Sequence, residues 1–355
     1  MSDKVSIVIP TRNRRDLLRP ALRSAKAQTW SDIELLIVDE ASSDSTADMV
    51  AAEFPEVRIV RHGTPRGPGG ARNAGLAATD SDWVLFLDDD DLLHNHHVES
   101  LLRASHDLTD GSEIVSGRWR RFTMVGNDVR LGPVVCAPKS RRGIETIAEL
   151  LEPTGEGTIC CPSVLWPRAV FADVLWDEQL STNGDVDFFG RAVLSGRPIV
   201  GRQAGMAYYR SHVGDRVAGA ATLRGLLSSA RYRLKWSQLL LSHPERQACT
   251  AAMRNGFMTL MIGLSGVPEA SALMPFLQDA YHLWGGEGYY MSSPPRHALK
   301  RLVAEGTLRL GGLVALNWLL KQTARRGRNR QPPVGYNPPS TESDQSDVAA
   351  IRSVE

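Results

Sequence analysis

The sequence predicts an α/β fold with a mostly parallel central sheet flanked by helices, plus an all-helical C-terminal segment. Three observations predict it. Short, β-branched apolar runs alternate with helix-period segments through the first hundred residues, the pattern of parallel strands covered on both faces. The fourth apolar run leads straight into a run of aspartates, Asp88-Asp89-Asp90-Asp91. Beyond about Val217 the strand signals stop, and leucine and alanine recur at helical spacing instead.

In chain order, Val5 to Ile9 is a buried strand ending at Pro10. Leu17, Leu18, Ala21, Leu22 and Ala25 follow at helical spacing, with Pro20 expected in the first turn, where its missing N–H costs nothing. Ile33 to Val38 is a second strand. Ser43 to Thr46 supplies caps for a helix over Ala47 to Phe54. Val57 to Val60 is a third strand, and Gly67 to Gly70 a turn before a helix near Ala71 to Ala77. Trp83 to Leu87 is the fourth strand. From about Ile114 to His212 the pattern is mixed, with a strand expected over Cys161 to Trp166 and a helix start at Asp185. Helices are expected over Leu223 to Leu241, Ala251 to Leu264, Ala270 to Leu283 and Leu302 to Leu320. Residues 331–355, with four prolines and many Ser, Asp and Glu, read as a disordered tail. The expected domains are therefore 1–115, 116–215, 216–330 and that tail.

Composition narrows the function classes. The 355 residues carry 41 Lys+Arg against 40 Asp+Glu, a net charge of +1, which excludes a nucleic-acid binder that relies on a cationic surplus. A hydrophobic fraction of 42% is enough for a real core. Four cysteines with no CxxC pair argue against a zinc ribbon or a disulfide scaffold. The only apolar run near the N-terminus is too short for a signal-peptide core, and no stretch approaches the ~20 apolar residues of a membrane span. The expected location is the cytoplasm.

The aspartate run carries the strongest chemical signal. It sits where a buried parallel strand ends, the edge at which α/β sheets bind ligands. Two carboxylates ~4 Å apart at an effective dielectric of ~20 repel by ~4 kcal/mol. Crowding them is costly unless a cation sits among them. Alternating carboxylates, Asp88 and Asp90, suit a hard divalent ion completed by substrate phosphates. The first strand ends in Pro10-Thr11-Arg12-Asn13 and the second in Val38-Asp39-Glu40, on the same edge. Asp39 suits a base N–H and a ribose hydroxyl there. Arg72 faces the same edge behind Gly69-Gly70.

These segments are Val8-Ile9-Pro10-Thr11-Arg12-Asn13-Arg14, Ile37 to Thr46, Ala71-Arg72-Asn73-Ala74-Gly75, and Phe86-Leu87-Asp88-Asp89-Asp90-Asp91. In that order they resemble the motifs of glycosyltransferase family 2, over about residues 4–212. The resemblance implies the GT-A fold, a nucleotide-sugar donor, most often UDP-linked, and inversion at the anomeric carbon. It implies Pro10, Thr11, Arg12, Asp39, Arg72, Asp88 and Asp89 at the nucleotide and Asp90 as the metal carboxylate of a DxD motif, with Mn²⁺ or Mg²⁺ as cofactor. Asn183-Gly184-Asp185-Val186-Asp187 resembles the stretch that carries the family's catalytic base, which would be Asp185. The residue before the base is usually Glu and is Gly184 here. Tyr209-Arg210-Ser211-His212 resembles the motif that closes the domain, with His212 as a metal or diphosphate ligand. Glycan, lipid-linked and small-molecule acceptors all fit, with a role in polysaccharide, glycolipid or other glycoconjugate synthesis.

Two rival readings stay open. One is a sugar-nucleotide-binding scaffold without catalysis, which the intact Asp88, Asp90 and Asp185 oppose. The other is a nucleotidyltransferase, which would want a Gly-rich basic loop where this chain has Pro10-Thr11-Arg12-Asn13. Gly67 to Arg72 is not a dinucleotide fingerprint, since it follows the third strand. His94, His96 and His97 diverge around a helix start and do not suit zinc. Cys160-Cys161 reads as core packing. Finally, residues 306–330 combine Leu308 to Leu320, including Trp318, with Lys321, Arg325, Arg326, Arg328 and Arg330. They suit either packing on the other helices or peripheral contact with an anionic inner membrane leaflet.

Overall fold

The computed structural model of the protein describes residues 3–108, 113–139, 143–152, 159–211, 222–264, 267, 270, 273–286 and 342–355. The chain divides into two compact units. One is built from 1–146, 156–216 and 335–355, the other from 147–155 and 217–334.

In the first unit β1 (Val5–Thr11), α1 (Arg15–Lys26), β2 (Ile33–Asp39), α2 (Thr46–Glu53), β3 (Arg58–Arg61), α3 (Gly67–Ala77) and β4 (Trp83–Phe86) alternate. After the aspartate run come β5 (Leu92–Leu93), α4 (His97–His106), β6 (Ile114–Ser116), β7 (Arg118–Val125), β8 (Asp128–Cys136) and α5 (Gly143–Leu151), which runs across the boundary between the units. Then follow β9 (Val164–Pro167), α6 (Gly184–Leu194), β10 (Ile199–Gly201) and β11 (Ala207–Arg210). A seven-stranded sheet runs in the order β10-β6-β9-β4-β1-β2-β3. It is parallel except where β9 lies antiparallel between β4 and β6. A second sheet runs β5-β11-β7-β8.

The buried strands read as the sequence does. Val5, Ile7, Val8 and Ile9 of β1 are fully buried, as are Val84, Leu85 and Phe86 of β4. One face of the sheet packs on Leu18, Ala21 and Leu22 of α1 and Val98 and Leu101 of α4. On the other, α3 lies so close that a Cβ at Gly75 would stand 2.3 Å from Val8 Cγ1, so only glycine lets that helix sit down on β1 and β2.

Several expectations need correction. Gly67 to Gly70 form the first turn of α3 rather than a turn before it. The Glu40 carboxylate accepts from the N–H groups of Arg66 (2.6 Å) and Gly67 (2.7 Å) and so caps that start from a distant strand end. Pro20 lies inside α1, not in its first turn, because the helix begins at Arg15. The boundary expected at 115/116 falls inside β6, and β9 from the later stretch completes the sheet of the earlier one. The tail expected to be disordered contains a helix, α10 (Glu342–Val354). Val348, Ile351 and Val354 recur at helical spacing there and pack on Leu92, Phe122, Met206 and Tyr208.

The second unit is helical where it is described, with α7 (Leu223–Leu241), α8 (Thr250–Leu264) and α9 (Met274–Leu283). Trp236, Leu240, Phe257 and Leu277 are buried in it. No helix among the described residues is long and apolar enough to cross a membrane. The expected helix over 302–320 and the basic stretch to 330 lie outside the described residues.

Candidate active site

Parallel pairing sets Thr11 beside Asp39, and Asp39 beside Arg61. The C-terminal ends of β1, β2, β3 and β4 thus share one edge, and the aspartate run leaves β4 there. Each of its four carboxylates has a different setting. Asp88, part-exposed, accepts from Arg72 Nη2 at 2.5 Å. Asp89 is buried and accepts from Thr11 Oγ1 at 2.8 Å and from Arg14 Nη1 at 2.6 Å. Asp90 pairs with the same Arg14 nitrogen at 2.8 Å. Asp91 is buried and accepts the Arg210 N–H at 2.8 Å through Oδ1, while its Oδ2 has no hydrogen-bond partner.

Burial and mutual repulsion set the protonation of this run. Burial pushes Asp89 up to about 6, with Arg14 opposing and Asp90 reinforcing. Asp91 is raised well above the usual carboxylate range, first by burial and then by the charges of Asp90 and Asp88. Against its own burial, Asp89 and Asp90 hold Arg14 more firmly protonated.

Arg72 comes from α3, whose start Glu40 caps. The side chain is buried, and its guanidinium carbon lies 4.4 Å from the centre of the Trp176 ring. Asn73, the residue after Arg72, holds the Trp176 main chain. Asn73 accepts the Trp176 N–H (3.0 Å) and donates to the Trp176 carbonyl (3.0 Å) and to Glu178 (3.1 Å). Glu178 also pairs with Arg66 at 2.9 Å. A Cβ at Gly69 would sit 2.8 Å from the Asp177 carbonyl oxygen, so this loop rests directly on α3.

Asp185 stands in the first turn of α6. Two residues of that helix, Phe188 and Phe189, anchor it in an aromatic block. Phe188 stacks on Trp176 at 4.5 Å and meets Trp166 at 4.8 Å, and Phe86 of β4 meets Trp176 edge-on at 5.1 Å. The same block therefore supports the base candidate, the Arg72 platform and the strand that delivers the aspartates. Burial raises the Asp185 carboxyl above its usual range, Asp88 adds to this, and Arg72 opposes it. Asp187, the other acid of the motif, is fully buried and paired with Arg191 at 2.8 Å.

The structure brings Thr11, Asp39, Arg72, Asp88, Asp89, Asp90 and Asp185 to this edge. Asp39 is fully buried and holds its own loop, accepting from the Ser42 N–H at 3.0 Å and from Arg61 at 3.2 Å. Pro10 is half-buried at the end of β1, and Arg12 is exposed on the loop beyond it. His212 lies outside the described residues. His97 turns inward, bonds the Pro162 carbonyl at 2.9 Å and is pushed down to about 4 by burial, so it is a core residue. Among the described residues no three His, Cys, Asp or Glu converge as a ready-made metal cage. The donor set does fit an ion held by one or two carboxylates and by substrate phosphates. Asp90 is only partly buried, and beside it the buried Asp91 Oδ2 has no hydrogen-bond partner, an oxygen left over for a ligand. Sequence reasoning missed Arg14, Trp176 and Asn73. An arginine among Arg12, Arg14 and Arg15 has no signal of its own, and Trp176 lies about a hundred residues from its partner.

Comparison with known proteins agrees with this fold. Residues 6–175 match the model of glycosyl transferase family 2. Over 128 residues the chain is 37% identical to the succinoglycan biosynthesis protein ExoO of Rhizobium meliloti, covering 36% of each chain. Over 108 residues it is 33% identical to a GalNAc(5)-diNAcBac-PP-undecaprenol beta-1,3-glucosyltransferase of Campylobacter jejuni, covering 29% of this chain and 35% of that one. The matches span about a third of the length of these curated relatives. Among solved structures, S. aureus TarS 1-349 in complex with UDP-GlcNAc superposes with a TM-score of 0.56 at 17% identity, over 91% of this chain and 92% of that one. The mannosyltransferase PcManGT of Pyrobaculum calidifontis, in complex with GDP-Man and Mn²⁺, gives 0.52 at 16% identity, over 92% and 88%. At such identities the likeness shows the fold, which is GT-A.

Proposed function

Residues 6–175 belong to glycosyl transferase family 2, and from that premise we propose that the protein is a metal-dependent, inverting glycosyltransferase. It moves a sugar from a nucleotide-sugar donor, UDP-linked by this reading, to an acceptor hydroxyl in polysaccharide or other glycoconjugate synthesis. The observation that carries the proposal is the grouping of Arg72, Asp88 and Asp185, whose charges act on one another at the edge where the aspartate run ends. A base candidate is thus close enough to the candidate diphosphate site for its charge to be felt there.

In this reading Thr11, Asp39 and Arg72 hold the nucleotide and Asp88 its ribose. Asp90 carries the divalent ion, which when bound neutralises charge on the leaving diphosphate. Asp185 takes the acceptor hydroxyl proton, and burial makes it a stronger base than a solvated carboxylate. Inversion follows from placing base and leaving group on opposite sides of the anomeric carbon. Nucleotide-sugar relatives support the donor class: TarS was solved with UDP-GlcNAc, and PcManGT with GDP-Man and Mn²⁺.

The test is calorimetric titration of UDP and GDP with and without Mn²⁺, followed by NMR of the product formed from the matching nucleotide sugar. UDP binding that Mn²⁺ strengthens, with an inverted anomer, is expected. Preference for GDP would replace the donor, and a retained anomer would overturn the mechanism. Slow hydrolysis of the nucleotide sugar also separates the enzyme from a non-catalytic scaffold.

A further inference from the structure

Arg210 ties the C-terminal helix to the aspartate turn. Its main-chain N–H donates to Asp91 Oδ1 at 2.8 Å and its Nε to the Asp90 carbonyl at 2.8 Å. The guanidinium carbon lies 4.5 Å from the centre of the buried Phe122 ring. The far edge of the same guanidinium is gripped by the Glu355 carboxylate, through Nη2 to Oε1 and Nη1 to Oε2. Glu355 directly follows α10.

That helix is fastened elsewhere as well. Arg120 donates to Asp344 at 2.8 Å and to Asp347 at 2.7 Å, and Tyr208 donates to Asp347 at 2.6 Å. Ile351 and Val354 pack on Leu92, the residue after Asp91. Arg23 of α1 donates to the Val354 carbonyl at 3.3 Å. The helix end is therefore fixed relative to both α1 and the aspartate turn.

A guanidinium is a rigid planar fork, so holding one edge sets the direction of the Nε donor on the other. Glu355 also supplies the counter-charge that keeps Arg210 from turning into the neighbouring aspartates. The Arg210 charge already acts on Asp91, and a buried charge that loses its partner seeks another.

We propose that Glu355, acting through Arg210, positions the Asp90–Asp91 turn, so that α10 is a working part of the nucleotide site rather than an appendage. The inference rests on reading that turn as the metal and diphosphate site. Glu355 is a positioning residue, since it touches no reacting atom.

The test uses full-length Glu355→Gln beside wild type. Hydrogen–deuterium exchange of the ligand-free protein should speed at least threefold in peptides covering 87–93 and 208–211, with β1 and β2 unchanged. The strengthening of UDP binding by Mn²⁺ should fall about three- to tenfold, with metal-free binding unchanged. Glu355→Asp should restore part of both. Unchanged exchange at 87–93, or exchange rising equally in β1 and β2, overturns the proposal. So does faster exchange with intact metal enhancement. A wild type whose nucleotide affinity ignores metal defeats the functional reading instead, and the exchange data alone then decide whether Glu355 orders the turn.

Discussion

The Arg72 guanidinium lies 4.4 Å from the Trp176 ring centre while its Nη2 holds Asp88. Its Nε, buried, has no hydrogen-bond partner. One face of the cation is thus satisfied by an aromatic ring and one edge by a carboxylate, and its charge also reaches Asp185.

Arg72→Met should therefore shift the acid limb of the kcat/KM profile. Burial holds the Asp185 carboxyl above its usual range, and Arg72 works against that rise. The base form is lost as pH falls through this raised value. Removing Arg72 raises it further, so the variant should lose activity at a higher pH than wild type. Nucleotide affinity should also drop about tenfold, the scale of one lost charge-assisted hydrogen bond from Arg72 to the nucleotide. An acid limb that does not move would separate Arg72 from Asp185.

Asp185→Asn keeps the shape of the side chain and removes its basicity. Donor affinity should stay within about twofold, and kcat should fall by roughly 10²–10⁴. Steady-state kinetics beside a UDP titration check both. Asp187 offers no substitute, because it is buried against Arg191.

For Asp90→Ala the expected loss is of metal-dependent binding alone. UDP should bind the variant equally with and without Mn²⁺, and turnover should vanish. Calorimetry with the two titrations side by side reads this out. The Arg14–Asp89 pair remains in the variant, so its thermal stability should stay close to that of wild type.

Asp89→Asn addresses stability. The folded-state value of about 6 stands above the usual 3.8, so the folded protein binds the proton more tightly than the unfolded chain. Asp89 therefore favours folding more as pH falls from about 6 to about 4, by up to roughly 3 kcal/mol. Relative to Asp89→Asn, metal-free wild type should gain denaturation midpoint on going from pH 7 to pH 4. A constant gap between the two across that range would contradict the burial argument.

Much of this was legible in the residues. The four apolar runs and the aspartates behind the fourth placed the site at one sheet edge, because burial on both faces leaves a plain compositional mark. The helix start that carries Asp185 was legible through its motif. The parts that were not depend on partners far apart in the chain. The cap on α3 comes from Glu40, so the glycines at 67–70 looked like a turn. Pro332, Pro333, Pro338 and Pro339 dominate the composition of the last stretch, and they hid the three apolar residues with which α10 docks. Arg14 and Arg12 are the same residue type two positions apart, and only the direction of the side chain tells the one that holds the aspartates from the one in solvent.

The place of β9 between β4 and β6 has a consequence for synthesis. When Phe86 leaves the ribosome, the strand that will cover the flank of β4 is still about 80 residues from being made. At ~5–20 residues per second, that edge waits ~4–16 s with its backbone donors and acceptors unpaired. During that interval the nascent chain presents Val84 and Leu85 beside an open strand, a natural binding segment for a holding chaperone. Translation slowed between codons 87 and 167 would lengthen the exposure, and the yield of folded protein should respond to codon choice in that window.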